Sequence, residues 1–298
     1  MTGRLLCAAG QHAFPISGGV PRLLAHPLPP DMEHTSRNFG QSWRLWNQID
    51  DERYRWQFLR WVQPLQPADF SDRSVLDMGC GKGRHLRVAA QFGARDVVGV
   101  DLSEAVDVAF ANTRDLEHAH VVQGDIFHLP VVSDFDLAFS IGVLHHTPDP
   151  AQAFAVLANH VRPGGTVACW VYGRENNGWI VHAVDPVRIG ITSRLPSKVV
   201  QALSYGLTSV LFASIGCVYQ PVEKLGFKPF YADYMKYLRD LGFAETLNIV
   251  YDHLIAPTAA YVPRAEVERW FATAAIDAPT LTWVQKVSWA GVGKKPAA

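Results

Sequence analysis

The chain has 298 residues, 48% of them hydrophobic and 18% charged, with a formal net charge of −1. A chain this long buries a large core, and its near-neutral charge without a basic stripe argues against a nucleic-acid substrate. Cys7, Cys80, Cys169 and Cys217 lie far apart with no C-x-x-C pair. They therefore suggest neither a disulfide framework nor a zinc site, and they fit a reducing, cytoplasmic setting. The first residues lack the apolar run of about 7–15 residues that marks a secretory signal.

Residues 1–68 read as an N-terminal arm followed by two helices. Phe39, Trp43 and Trp46, then Tyr54, Phe58 and Trp61, recur at helical spacing, and Pro64 stops the second helix. The two helices either pack on a sheet or form a flap. Residues 69–173 alternate apolar runs with helical segments. Strands are expected near 74–78, 96–101, 119–123, 135–141 and 166–172, which implies a parallel sheet covered on both faces.

The most informative segment is Ser74-Val-Leu-Asp-Met-Gly-Cys-Gly-Lys-Gly-Arg-His85. A strand ends at Asp77 and turns through Gly79, Gly81 and Gly83 into a helix. Such a turn makes a cradle that a ligand can approach closely. The spacing is G-x-G-x-G and the next residue is Arg84, which argues against the G-x-G-x-x-G of dinucleotide enzymes. A second strand ends in Asp101, suited to the hydroxyls of a ribose. His145 and His146 follow the fourth core strand directly, where open α/β sheets place their sites, and a histidine there can act as a base. Tyr172, at the end of the fifth, is a second pocket candidate.

Residues 174–262 are too long for a simple connection. They are helix-rich, aromatic and interrupted by prolines, and read as a cap inserted before the last helix. Tyr231, Tyr234, Tyr237, Tyr251, Asp252 and His253 lie in this insertion, and of these Tyr251-Asp252-His253 is the candidate for lining an acceptor pocket. From Val199 to Val222 there is no charged residue. That length could span a bilayer, but six polar residues interrupt it, and it reads as a buried cap or subunit-interface helix. Residues 263–298 close the core with a helix from Pro263 and an antiparallel pair within Thr280–Gly293.

These pieces, together with Gly124-Asp125-Ile126, Phe135–Ser140 and Val161-Arg-Pro-Gly-Gly165, stand in the order of the class I S-adenosylmethionine (SAM)-dependent methyltransferases. The chain resembles that family, in its bacterial type-11-like form. The resemblance implies an α/β fold, a Rossmann-like, seven-stranded doubly wound sheet with a helical cap insertion and an N-terminal arm, and SAM as cofactor. It implies that the Gly79, Gly81 and Gly83 loop faces the methionine end, that Asp101 accepts from the ribose, and that Asp125 takes the adenine amino group with Ile126 beside the ring. Asp77, Cys80, Leu102 and Ser140 are counted in the same cofactor site, and His145 and Tyr172 are the catalytic candidates. The arm is similar to the zinc-ribbon arm of some bacterial methyltransferases, but Gly10 stands where the second cysteine of a C-x-x-C pair would be, so no metal is expected.

The function expected is methylation of an oxygen, nitrogen or carbon of a small-molecule biosynthetic intermediate. Two alternatives are a SAM-consuming enzyme that cyclises the aminobutyrate arm and releases methylthioadenosine, and a SAM-binding accessory subunit. The expected partners are a small-molecule substrate, with a lipid-linked acceptor as a variant, and a second copy of the chain docked through the cap. No nucleic acid and no membrane span are expected.

Overall fold

The structure is a computed structural model that describes residues 2–8, 10, 12–24 and 27–297. The arm is an antiparallel sheet of β1 (Gly3–Leu6), β2 (Ala13–Ser17) and β3 (Val20–Pro21). Two helices follow, α1 (Pro30–Leu45) and α2 (Asp51–Trp61), the latter capped where Asp50 accepts from the Arg53 N–H at 3.1 Å.

The core then alternates β4 (Ser74–Met78), α3 (Arg84–Gln91), β5 (Asp96–Asp101), α4 (Val106–Thr113), β6 (Ala119–Gln123), β7 (Phe135–Ile141), α5 (Pro150–Asn159) and β8 (Val161–Tyr172). The cap holds α6 (Asp185–Gly190), α7 (Ser197–Ser214), α8 (Gln220–Lys224), α9 (Ala232–Leu241) and α10 (Phe243–Ile255). Then α11 (Arg264–Thr273), β9 (Thr280–Val284) and β10 (Ser288–Lys294) complete the sheet.

The seven-stranded sheet runs β6-β5-β4-β7-β8-β10-β9, and only the pairings of β10 are antiparallel. The order reverses between β4 and β7, so a crevice opens at the carboxyl ends of those strands, where such sheets bind ligands. Apolar side chains fill both faces, with Phe58, Phe70, Val75 and Leu86 on one and Leu76, Phe154, Leu157 and Phe271 on the other. The arm docks on the β6 edge, where Leu23 N–H donates to Gln123 O at 2.8 Å.

Of the two readings of Val199–Val222, the buried cap helix fails within the chain, and the subunit-interface helix concerns a second copy. Along α7 only Val200, Ser204 and Thr208 are buried, while Val199, Leu203, Leu207 and Val210 are exposed.

Candidate active site

The glycine loop forms because β4 must turn at once into α3. Gly79, Gly81 and Gly83 have φ of 90°, 52° and 81°, in the left-handed region that L side chains avoid. A Cβ at Gly81 would also lie 2.9 Å from Trp43 Nε1, so α1 rests directly on the loop. Beside it, Asp101 at the end of β5 accepts from Gly81 N–H at 2.8 Å, Ser103 N–H at 2.8 Å and Ser103 Oγ at 2.7 Å. A carboxylate offers about four lone-pair sites. One is therefore left for an incoming hydroxyl, and rotation of Ser103 Oγ frees another.

One cavity joins these groups to the cap. Gly79, Cys80, Gly81, Asp101, Leu102 and Ile126 line one end. Trp170, Tyr172, Tyr234, Tyr237, Asp252 and His253 line the other, and Phe39 and Trp43 of α1 form the side between them. Tyr54, Phe58 and Trp61 are buried in α2, and Phe39, Trp43 and Trp61 line the cavity.

The remaining expected cofactor residues sit around this cavity without lining it. Asp77 is buried under the loop, and burial, reinforced by the neighbouring Asp101, pushes its pKa well above the usual range. Gly83 packs against Ala109. Ser140 Oγ donates to Met78 O at 2.8 Å, tying β7 to β4. Asp125 accepts from Phe127 N–H at 2.9 Å and pairs with His128 Nδ1 at 2.8 Å, so it shapes the turn that presents Ile126.

The histidine pair divides. His145 is fully buried, and neither ring nitrogen has a hydrogen-bond partner among the described residues. It lies behind the wall, its ring 4.0 Å from that of Tyr172. His146 lines the cavity instead. Its Nδ1–H donates to Thr258 O at 2.6 Å, which leaves Nε2 with its lone pair. Burial lowers the pKa of His146, and of His253, to about 4, so both rings are neutral at pH 7.

Asp252 is the better-tuned base. Burial raises its carboxyl to about 6, although Ser42 Oγ donates to it at 2.6 Å. Of the expected Tyr251-Asp252-His253 triplet, Asp252 and His253 line the cavity, whereas Tyr251 packs with Val200 and Ile255; Tyr234 and Tyr237 reach the cavity as well. Trp170 and Arg84 were missed as site residues. Trp170 had a signal, because it stands two positions before Tyr172 and so faces the same side of β8. Arg84 lines the cavity, with its guanidinium 5.2, 5.5 and 5.6 Å from the rings of Trp43, Tyr54 and Trp61.

Among the described residues no group of three or more His, Cys, Asp or Glu side chains is placed to hold a metal ion.

Comparison with known proteins matches residues 76–169 to the family described as "Methyltransferase domain". Among curated proteins, the chain is 29% identical over 185 residues to a tRNA U34 carboxymethyltransferase of Idiomarina loihiensis, covering 54% of this chain and 56% of that protein. It is 38% identical over 122 residues to the enzyme of that name from Aliivibrio salmonicida, covering 39% and 37%. The chain thus spans about half the length, or less, of these curated relatives.

A solved structure from Nostoc punctiforme, provisionally named an O-methyltransferase, superposes with a TM-score of 0.50 at 16% identity. It covers 86% of this chain and 60% of that one, a likeness of fold. The family match begins at residue 76, so the likeness of the arm to a zinc ribbon remains one of sequence pattern.

These relatives overturn two expectations, the small-molecule acceptor and the absence of a nucleic-acid partner. The physical reason is that net charge governs long-range attraction to phosphates. It does not report whether a cavity accepts a base.

Proposed function

Because the chain carries a class I SAM-dependent methyltransferase domain, we propose that it transfers a one-carbon or carboxymethyl group from a SAM-type sulfonium to a base of tRNA. The observation that carries this reading is the pairing of the glycine-loop end with an aromatic end in one cavity, in a chain similar to tRNA U34 carboxymethyltransferases. Trp170, Tyr172, Tyr234 and Tyr237 make that end of the cavity aromatic, and aromatic side chains are what proteins use to hold an extruded base.

SAM, when bound, supplies a carbon already activated by a positive sulfur. Asp101 would accept from the ribose, Ile126 would flank the adenine, and Arg84 would meet the methionine carboxylate. The protein's remaining tasks are to align the acceptor, exclude water and take up a proton. The Trp43 and Phe39 face of α1 excludes water. Asp252, ionised at pH 7 and joined to α1 through Ser42, takes the proton, with Nε2 of His146 as the neighbouring acceptor. The setting that fits a tRNA substrate is the cytoplasm.

The test is to incubate the protein with bulk tRNA and either SAM or its carboxylated analogue, then digest the RNA and identify nucleosides by mass spectrometry. A new methyl or carboxymethyl nucleoside that depends on the donor is the expected result. Unmodified RNA with both donors, under conditions where calorimetry shows the donor bound, would refute the acceptor while leaving the cofactor site standing.

A further inference from the structure

Most of the large apolar side chains that are exposed lie between Trp179 and Phe243. The distribution there is the reverse of a soluble surface helix. In α6, Asp185 and Arg188 are buried, 3.2 Å apart, while Val187 and Ile189 are exposed. In α7, the buried positions include Ser204 and Thr208, and Ser204 Oγ donates to the backbone of Val200 at 2.7 Å. The outward stripe at helical spacing is Val199, Leu203, Leu207 and Val210, the last 69% exposed. A helix normally turns its polar residues to water. Here Ser204 and Thr208 turn inward and Val199, Leu203, Leu207 and Val210 outward, as on a protein face that meets hydrocarbon.

The charges point to one occupant. From 186 to 222 the chain has Arg188, Arg194 and Lys198 and no carboxylate; Arg188 is buried against Asp185, and Arg194 and Lys198 are exposed. Within the same stretch of chain Trp179, Tyr205, Phe227 and Phe230 are exposed aromatic rings, and such rings favour the boundary between headgroups and acyl chains. A second copy docked on the same face would find no acid between 186 and 222 to meet its cations. Anionic headgroups would satisfy them while the apolar stripe enters the bilayer boundary. By length and composition, Ser197–Lys224 could also cross a membrane, but its buried side packs on α10 through Val200, Tyr251 and Ile255, which holds it on the protein's surface.

We infer that α6, α7 and the turn after α8 form a membrane-surface docking face that binds anionic lipid bilayers, independently of the acceptor proposed above.

The test is flotation of the whole chain with vesicles of phosphatidylcholine, alone or mixed with phosphatidylglycerol. The protein should float with the mixed vesicles and less with the neutral ones. Replacing Leu203, Leu207 and Val210 together by Ser should weaken binding roughly tenfold or more. Arg194→Gln with Lys198→Gln should remove the preference for anionic vesicles. Retained SAM binding by calorimetry would show that each variant is folded. Absence of flotation with both vesicle types would overturn the inference. So would a dimer, seen by light scattering, that the triple Ser variant dissolves while vesicle binding is absent.

Discussion

Ser42 and Asp252 are 210 positions apart, and their hydrogen bond of 2.6 Å ties the helix that covers the cavity to the last helix of the cap. The bond leaves Asp252 a carboxylate but does not hold it at an ordinary pKa, because burial outweighs it and raises the group to about 6. The same contact therefore fixes a titratable carboxylate on the cavity wall and joins α1 to the cap.

Asp252→Asn should lower the transfer rate on the order of a hundredfold or more with SAM affinity unchanged, because Asn can still accept from Ser42. The wild-type rate should fall as pH drops through about 6, and the variant should lose that limb. Stability should move the other way. A folded pKa above the unfolded one means the native state takes up a proton first, so this group's contribution is present below about pH 4 and is lost as pH rises through about 6. A pH–rate profile with an unchanged acid limb in Asp252→Asn would remove Asp252 from proton transfer.

Asp101→Ala should weaken SAM by roughly a hundredfold, the loss of two hydrogen bonds from a charged acceptor. It also frees Gly81 N–H, so the loop itself loosens. Asp101→Asn keeps an acceptor oxygen and should lose less. Calorimetry giving equal affinities for all three proteins would place the ribose elsewhere.

Trp43→Ala removes the ring that rests on Gly81 and faces Lys82 and Arg84 at 5.5 and 5.2 Å. If α1 is a cover, SAM should leave faster while its association rate changes little. Stopped-flow dissociation is the measurement, and an unchanged off-rate would make Trp43 packing alone.

Asp136 lies at the opposite end of the sheet from the cavity. Its carboxylate accepts from Ser74 N–H at 2.8 Å and from Arg162 Nε at 2.7 Å. Burial acts to raise its pKa, but these bonds outweigh it and the pKa is lowered. The stabilisation is thus present above the unfolded value and lost as pH falls through the folded one, below about 4. Asp136→Asn should cost about 1.5–3 kcal/mol at neutral pH and nothing in transfer rate per folded molecule. Urea unfolding at pH 7 and at pH 3 checks both the size and the sign.

The sheet was legible because its signals are local. Apolar runs flank Asp77 and Asp101, and glycines stand where the backbone needs positive φ, so the seven-stranded order follows once the motifs are aligned. The cavity's cofactor end was legible for the same reason. Its acceptor end was not. Trp170, Tyr234 and Asp252 come together only where α9 and α10 close the cavity at the end of β8, with His253 stacked on Tyr172, and no periodicity announces which cap residues face inward. Val199–Val222 misled because the absence of charge ordinarily means burial. Here the helix buries Ser204 and Thr208 and exposes Leu207, a reversal visible only with neighbours in place. The acceptor misled because average charge says nothing about a base-sized pocket.

The histidine pair gives the last prediction. His145 was the expected base because it follows β7 directly, yet its ring is fully buried with both nitrogens lacking partners among the described residues. Burial holds its pKa well below the usual value, with His146 adding to the effect, so it stays neutral. An unpaired buried polar group costs about 1–3 kcal/mol. His145→Phe fits between Trp170 and Tyr172, rings already 6.2 and 4.0 Å from it, and removes that cost. It should stabilise the fold by about 1 kcal/mol and leave the transfer rate within a few-fold of wild type. His146→Ala should instead lower the rate, because it removes the Nε2 lone pair that the Thr258 bond leaves available on the cavity wall. The two measurements needed are denaturant unfolding and single-turnover transfer with saturating donor. A folded His145→Phe protein without transfer activity, beside an active His146→Ala, would return the proton-accepting role to His145.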